Sequence, residues 1–487
     1  MRIIVAAMFV LAAHSAYATS YQVGATRMYA SPCVLAAAVA LQPGDDIAID
    51  PGTYTDACQL TASGTAQAPI TMHGVAGMAR PLFDATGLDL SGSGPTPRAI
   101  FQWNDASYWT VTHLELAHAT NASNNGSGFR LTAGAHDVTF VDMSIHDNQD
   151  GAQSDGPSVI TIEDSEIFAN GANDGQSHNL YLQGDTVRLV GNYIHDSRGG
   201  QNIKLRTRYV EIIANIVENA GNYEVDLIQG PYTSMPNANA VLIGNLFVRA
   251  TDSDNNSQTI LFGTDNPGDT TPSRNGALYA IANTFVLRNP SNQLFHVLTS
   301  PSPFAATHVY LDNNLVYATV DGTSLTSDAT TAGYVTGSNN FIMTGIAGVP
   351  AALTATVAAA DPGFVDAAGG NYQLASGSPA IDAALAQPMY ADGSGAMQDG
   401  TPALEPAPPI GSAPRYVVGA ASDLGAFEFG NAPPAGGEGG IDDVDAGGGG
   451  GGGGSTSGCC NTSGSPASAW LLALLVAGRL ARRRRIG

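Results

Sequence analysis

Short runs in which Val, Ile, Leu and Phe alternate with polar side chains recur along most of the chain, punctuated by Gly, Asn and Asp and showing little helical spacing. Alternation with a period of two marks half-buried strands, so the body reads as all-β, built from many short strands and turns. Several segments are nearly self-similar: VTFVDMSIHDN from Val138, VRLVGNYIHDS from Val187, VEIIANIVENA from Val210, AVLIGNLFVRA from Ala240, LYAIANTFVLRN from Leu278 and VYLDNNLVYAT from Val309. Each is a strand, a polar corner and a second strand. The corners fall at Met143, Ser165, Asn192, Asn215, Asn245, Asn283 and Asn314, about 22 to 38 residues apart, a spacing expected of one unit stacked many times. Such a unit cannot bury its apolar face alone, so the repeats must stack as a solenoid. Leu189, Ile194, Ile212, Val217, Ile243 and Phe247 are expected to point inward. The corner asparagines should form a ladder that satisfies turn backbone groups.

The opening LQPGDDIAIDPGTYT, followed by SGTAQAPITMHG, resembles the start of bacterial proteins of the pectate-lyase superfamily. That resemblance implies a single-stranded right-handed parallel β-helix with a short N-terminal capping helix, here around residues 34–41. Further on, DPGFVDAAGGNYQLASGSPAIDAA and SDLGAFEFG resemble the end of the helix in the choice-of-anchor Q family, whose members share the body and differ in the anchor that follows. The expected organisation is a signal peptide over 1–18, β-helix over 19–320, and closing coils over 321–430. A Gly-rich linker follows over 431–458, then a sorting tail over 459–487.

The signal peptide rests on Arg2, an apolar run through Val10 and Leu11, and the small residues Ala16 and Ala18, with cleavage expected after Ala18. Export to an oxidising compartment favours a disulfide between Cys33 and Cys58, tying the first helix to the first coil; two separate buried thiols are the alternative. The run from Gly447 to Gly454 is a solvated linker. Beyond it, GCCNTSGSPASAWLLALLVAGRLARRRRIG places a Cys pair, a short apolar stretch and an Arg cluster in the order of the MYXO-CTERM sorting signal, which it resembles. The apolar stretch is short for a span, which needs about 20 residues. The resemblance implies a processing protease, attachment at Cys459 or Cys460, and anchorage at the outer membrane and cell surface.

Charge excludes one class of partner. With 42 Asp and Glu against 19 Lys and Arg, the chain has a formal net charge of -23 and lacks the basic footprint that nucleic acid requires. Scarce positive charge is nevertheless concentrated on three neighbouring repeats, HNLYLQG from His178, QNIKLRT from Gln201 and YEVDLIQG from Tyr223, with Arg188, Arg198, Arg206 and Arg208 nearby. Alternation sets Leu180, Ile203 and Val225 inward and leaves three outward columns: Tyr181, Lys204, Asp226; Gln183, Arg206, Ile228; and Asn179, Asn202, Glu224. Lys204 is the only lysine, and a lysine can be tuned into a base where an arginine stays charged.

Lys204, Arg206, Asp226, Tyr181 and His178 are therefore candidate catalytic residues, with Arg208, Arg188, Asn202 and Glu224 as candidate substrate-binding residues. A groove of this kind suits an acidic polysaccharide, whose carboxylates need neutralising before a neighbouring proton is removed. The segment also resembles the region of β-helix alginate and chondroitin lyases that places a Lys base beside an Arg on the next coil. Lys204 matches that Lys, but the next coil offers Asp226 and Ile228, so Arg206 or Arg208 would have to supply the Arg. Calcium is an open cofactor candidate, because Glu224 and Asp226 are hard oxygen ligands with Asp147, Asp150 and Asp155 a coil or two away. His146 and His195 recur at one place in IHDN and IHDS, which suits stacking. Two functions remain: a monomeric surface protein that binds or cleaves a polysaccharide, and a non-catalytic surface, adhesion or spacer protein. They differ in whether Tyr181, Lys204, Arg206 and Asp226 share an open groove or lie beneath the loops around Tyr232 and Asn266.

Overall fold

The structure is a computed structural model that describes residues 18–432, apart from 133, 252–257, 267–271 and 300–302. The signal peptide up to residue 17, most of the linker, and the tail with Cys459 and Cys460 lie outside the described residues. Parallel strands stack into three faces of a right-handed parallel β-helix. The first face runs from Cys58–Leu60 to Ser324–Thr326, the second from Ser20–Val23 to Leu353–Thr354, and the third from Thr53–Tyr54 to Phe341–Ile342. Leu180–Val190 and Ile203–Ile213 run unbroken from the first face into the second.

Each coil turns sharply before and after its short third-face strand; the corner before it uses left-handed backbone from His113 onward, and the corner after it does so at His118, Asp147, Ala169, Asp196 and Asn219. Asp142, Asp164, Gly191, Ala214, Gly244, Ala282 and Asn313 all take positive φ immediately before a ladder residue. A left-handed alanine costs about 1 kcal/mol, which the ladder beside it offsets. Asn192 Nδ2 donates to Asn215 Oδ1 at 2.9 Å, and the pattern repeats through Asn245, Asn283 and Asn314 to Asn340, one rung beyond the expected set.

The core is a continuous apolar column that is aromatic near the N-terminus, where Phe129 and Phe140 stack at 3.9 Å, aliphatic through the middle coils, and aromatic again at Phe247, Phe262, Phe285 and Phe295. Five of the six expected inward residues lie in it. Ile243 does not: its coil aligns Leu242 with Ile212, so Ile243 faces outward and is buried instead with Tyr209 and Ile281. The anticipated helix forms at Pro32–Ala38, capped by the Ser31 side chain, and Cys33 and Cys58 are joined with Cα atoms 5.5 Å apart. His146, Phe168, His195 and Tyr193 stack along the third face, the role anticipated for those histidines.

Coils continue past residue 320 as far as Leu353–Thr354. The chain then doubles back over the outside of the helix as a strap with three antiparallel hairpins, reaching Gly191, whose carbonyl accepts from Gly411. The motifs SPAID and DLGAFE clasp each other within this strap. Leu424 donates to the Ala380 carbonyl, Asp382 N–H to Asp423, and the buried Arg415 pairs with Glu428 at 3.1 Å.

Candidate functional site: a cleft on the first face

Strand register assembles the first expected column and the Gln183 and Arg206 part of the second, while Ile228, expected outward, lies beyond the strand end and is fully buried. Tyr181 lies opposite Lys204 and Lys204 opposite Asp226, while Gln183 lies opposite Arg206. The first column extends N-terminally through Gln153, Arg130 and Gln102, a file of hydrogen-bonding side chains on one face. Beside it opens a cleft of about 530 Å³ lined by Tyr181, Gln183, Arg206, Gln229, Gly230, Pro231, Ser234 and Pro272. Gly230 is needed at this wall, since a Cβ there would stand 2.4 Å from the Arg206 carbonyl.

The column divides into an open part and a covered part. Tyr181, Gln183 and Arg206 line the cleft, whereas Lys204 is 8% exposed and Asp226 fully buried. What covers the lysine is Asp265, in the loop after Gln258–Gly263. Lys204 Nζ lies 2.9 Å from Asp226 Oδ2 and 3.4 Å from Asp265 Oδ1, and Arg206 Nη2 donates to Asp265 Oδ2 at 2.7 Å. Arg206 Nη1 also donates to the Gln229 carbonyl at 2.6 Å. Burial opposes the charge on Lys204, but Asp226 and Asp265 more than offset it and hold the ammonium above its ordinary pKa. Asp226 is pushed up by burial, only partly countered by Lys204. In this state Lys204 is a held cation with no lone pair to act as a base.

The remaining candidates lie elsewhere. His178 is fully buried at a corner, where its Nδ1 accepts from Gln201 N–H and its ring meets Tyr181 edge-on. Burial, with Lys204 second, pushes it well below its ordinary pKa, so it neither reaches the cleft nor carries charge there. Asn202 and Glu224 are not outward. They extend a second buried ladder, with Asn179 donating to Asn202 at 2.8 Å, Asn202 to Glu224 at 2.6 Å, and Glu224 closing on the buried Arg249 at 3.2 Å. The chain turns inward at this corner, and alternation counted back from the strands does not apply there. Arg188 is on the second face, paired with Glu211 at 2.8 Å, and Arg208 is held by Asp185 and the Gly393 carbonyl.

Those placements also decide the fit of calcium. Glu224 and Asp226 each face a cation of the protein, Asp147 meets His146 and Arg198, and Asp155 meets Arg130. Among the described residues no group of three or more His, Cys, Asp or Glu side chains is placed to hold a metal ion, so these residues do not fit a calcium site.

Two residues of this site escaped the sequence patterns. Asp265 belongs to a loop outside the repeats. Arg274, fully buried behind the cleft, donates to the carbonyls of Thr207, Arg208, Ile228 and Ala238 at 2.7 to 3.4 Å. Burial holds this guanidinium down to about 9. It ties the segments that carry Arg206 and Gln229 to the loop that forms the cleft wall.

The class this architecture defines is the right-handed parallel β-helix. No family model matches the chain, and no curated protein matches its sequence. Among solved structures it is similar to pectate lyase Pel9A, with 16% identity over 84% of this chain and 97% of that one and a TM-score of 0.48. It is also similar to an alginate lyase from Paenibacillus sp. str. FPU-7 (17% identity, 60% and 97% covered, TM-score 0.38). A rhamnogalacturonan lyase gives 14% identity, 66% and 87% covered, and a TM-score of 0.40. These likenesses concern the fold and lend nothing to the chemistry of the cleft.

Proposed function

We propose that this chain is an exported, surface-held β-helix whose first-face cleft binds a polysaccharide. The observation that carries this reading is the cleft itself. Tyr181 offers a ring face, Gln183 and Gln229 offer amides for hydroxyl groups, and Arg206 offers a cation. Strands stacked at about 4.8 Å repeat such groups at regular intervals, which suits an extended polymer better than a compact ligand. A purely inert spacer has no use for a polar cleft whose wall is fixed by a buried arginine. The lyase form of the reading, with Lys204 as base and Arg206 or Arg208 as acid, needs a neutral amine. The carboxylates of Asp226 and Asp265 oppose that, so the proposal rests on binding.

Surface display belongs to the same proposal, through the signal peptide over 1–18, the choice-of-anchor Q-like closing segment, and Cys459 or Cys460 in the tail. Affinity electrophoresis of the purified chain through gels containing polygalacturonate, alginate or a neutral β-glucan tests the binding. Retardation in at least one gel, lost in Tyr181→Ala and Gln183→Ala, is the expected result, with absorbance of unsaturated products monitored alongside. Free migration in all three would put the spacer reading in its place.

A further inference from the structure

Lys204 and Arg206 are two residues apart on one strand, so both project from the same face of the coil about 6.6 Å apart along it. Their cationic heads converge on a single carboxylate: Asp265 gives Oδ1 to Lys204 at 3.4 Å and Oδ2 to Arg206 at 2.7 Å. A carboxylate bridging two cations is the arrangement by which a site recognises an acidic ligand. Here the chain supplies the carboxylate itself.

The geometry points to a uronate subsite at Lys204 and Arg206 that Asp265 fills in the unliganded protein, so that an acidic glycan binds by displacing Asp265. This rests on the polysaccharide reading of the cleft and names its substrate class. Three observations carry it. The two carboxylates on Lys204 are unequal, Asp226 having a side chain 0% exposed and Asp265 one 31% exposed, so only Asp265 is placed to exchange. Asp265 lies outside the stacked strands and is held by its backbone, its N–H donating to Gln229 Oε1 at 2.8 Å, so the side chain can swing away while the loop stays attached. And the bridge borders the cleft, because Arg206 and Gln229 both line it.

Charge accounts for the selectivity. With Asp265 in place two cations face two carboxylates; with Asp265 displaced, Lys204 and Arg206 face Asp226 alone, and one carboxylate from outside restores the balance. A neutral sugar cannot displace Asp265 without leaving a cation short of a partner in a poorly solvated place, which disfavours it. A partly exposed ion pair contributes little, so exchange for a ligand carboxylate is energetically accessible.

Asp265→Asn and Asp265→Ala in the full chain test the subsite, with binding measured by calorimetry against polygalacturonate and against its fully methyl-esterified form, the same backbone without charge. Both variants are expected to bind polygalacturonate about fivefold more tightly than the parent, with no change toward the esterified polymer and a slightly lower melting temperature, since Lys204 and Arg206 each lose a carboxylate partner. Arg206→Ala is expected to abolish the discrimination. Equal gains on both polymers would overturn the carboxylate subsite while leaving the polysaccharide reading intact, and unchanged or weaker binding of polygalacturonate would overturn the subsite as well. Binding of neither polymer by parent or variants would overturn both.

Discussion

Lys204 and Asp226 face each other across consecutive coils, ammonium to carboxylate at 2.9 Å, with the carboxylate wholly shielded from water. Gln201 Nε2 also donates to the same carboxylate oxygen at 3.2 Å, while Asp226 Oδ1 has no hydrogen-bond partner among the described residues. A charge in such a place depends on its counter-ion.

Lys204→Ala is accordingly expected to destabilise the protein, by roughly 3 kcal/mol at neutral pH, because it strands a buried carboxylate. The penalty has a direction in pH. Burial already raises Asp226 above its ordinary pKa, and loss of Lys204 raises it further. The folded variant then holds a proton that the unfolded chain releases, so its stability rises as pH falls through the folded pKa of Asp226. Urea denaturation of parent and variant at pH 7 and pH 5 measures the difference, which should shrink at the lower pH. A pH-independent penalty would mean that Asp226 is not the group left unpaired.

Much of this site was legible in sequence, for a definite reason. HNLYLQG, QNIKLRT and the EVDL of YEVDLIQG alternate cleanly, and alternation fixes both register and face, so Tyr181, Lys204 and Asp226 fall in one column as expected, whereas Ile228, past the strand end, is buried and not outward. Alternation fails where the strand stops. Asn202 and Glu224 sit just before their strands, at a corner that turns their side chains into the core. Ile243 is a one-residue slip: Leu189 and Ile212 each lie three positions before their ladder asparagine, and Leu242, not Ile243, holds that position before Asn245. Asp265 had no signal, since its contacts are set by a loop that follows no repeat.

The ladder assignment of Glu224 separates structure from binding. Glu224 accepts from Asn202, Ala220 N–H and Arg249, all inside the coil. Glu224→Ala should therefore lower stability by roughly 3 to 5 kcal/mol through the orphaned Arg249 and Asn202, and Glu224→Gln should be milder because it still accepts. Thermal unfolding with glycan-binding assays checks this. A Glu224→Ala protein that melts normally but fails to bind glycan would return the residue to the binding surface.

The SPAID and DLGAFE clasp should behave as a local unit. Glu428 accepts from Arg415, Val418 N–H and Asp423 N–H, and removing it leaves a buried guanidinium unpaired. Glu428→Ala is expected to loosen the strap while the coils keep their packing. Hydrogen exchange should then rise over residues 404–430 and stay unchanged around Ile203 and Val225. Uniform loss of protection would show the strap and the coil to be one cooperative unit.

Arg274 offers the sharpest test of whether the cleft is built or incidental. Its guanidinium makes four bonds to backbone carbonyls from three separate segments and, among the described residues, pairs with no carboxylate. Arg274→Met fills similar volume but returns none of those bonds. It should cost roughly 3 kcal/mol, the price of leaving several buried carbonyls unsatisfied. Arg274→Lys should rescue little, because a single ammonium cannot span carbonyls that a planar fork reaches together. The two variants should also weaken glycan binding beyond what Tm alone explains, since Thr207 and Arg208 adjoin Arg206 and Ile228 adjoins Gln229. Binding measured well below the melting temperature separates the effects. If Arg274→Met lowers Tm yet binds polygalacturonate as tightly as the parent, the wall does not depend on this anchor and the cleft is shaped by the coils alone.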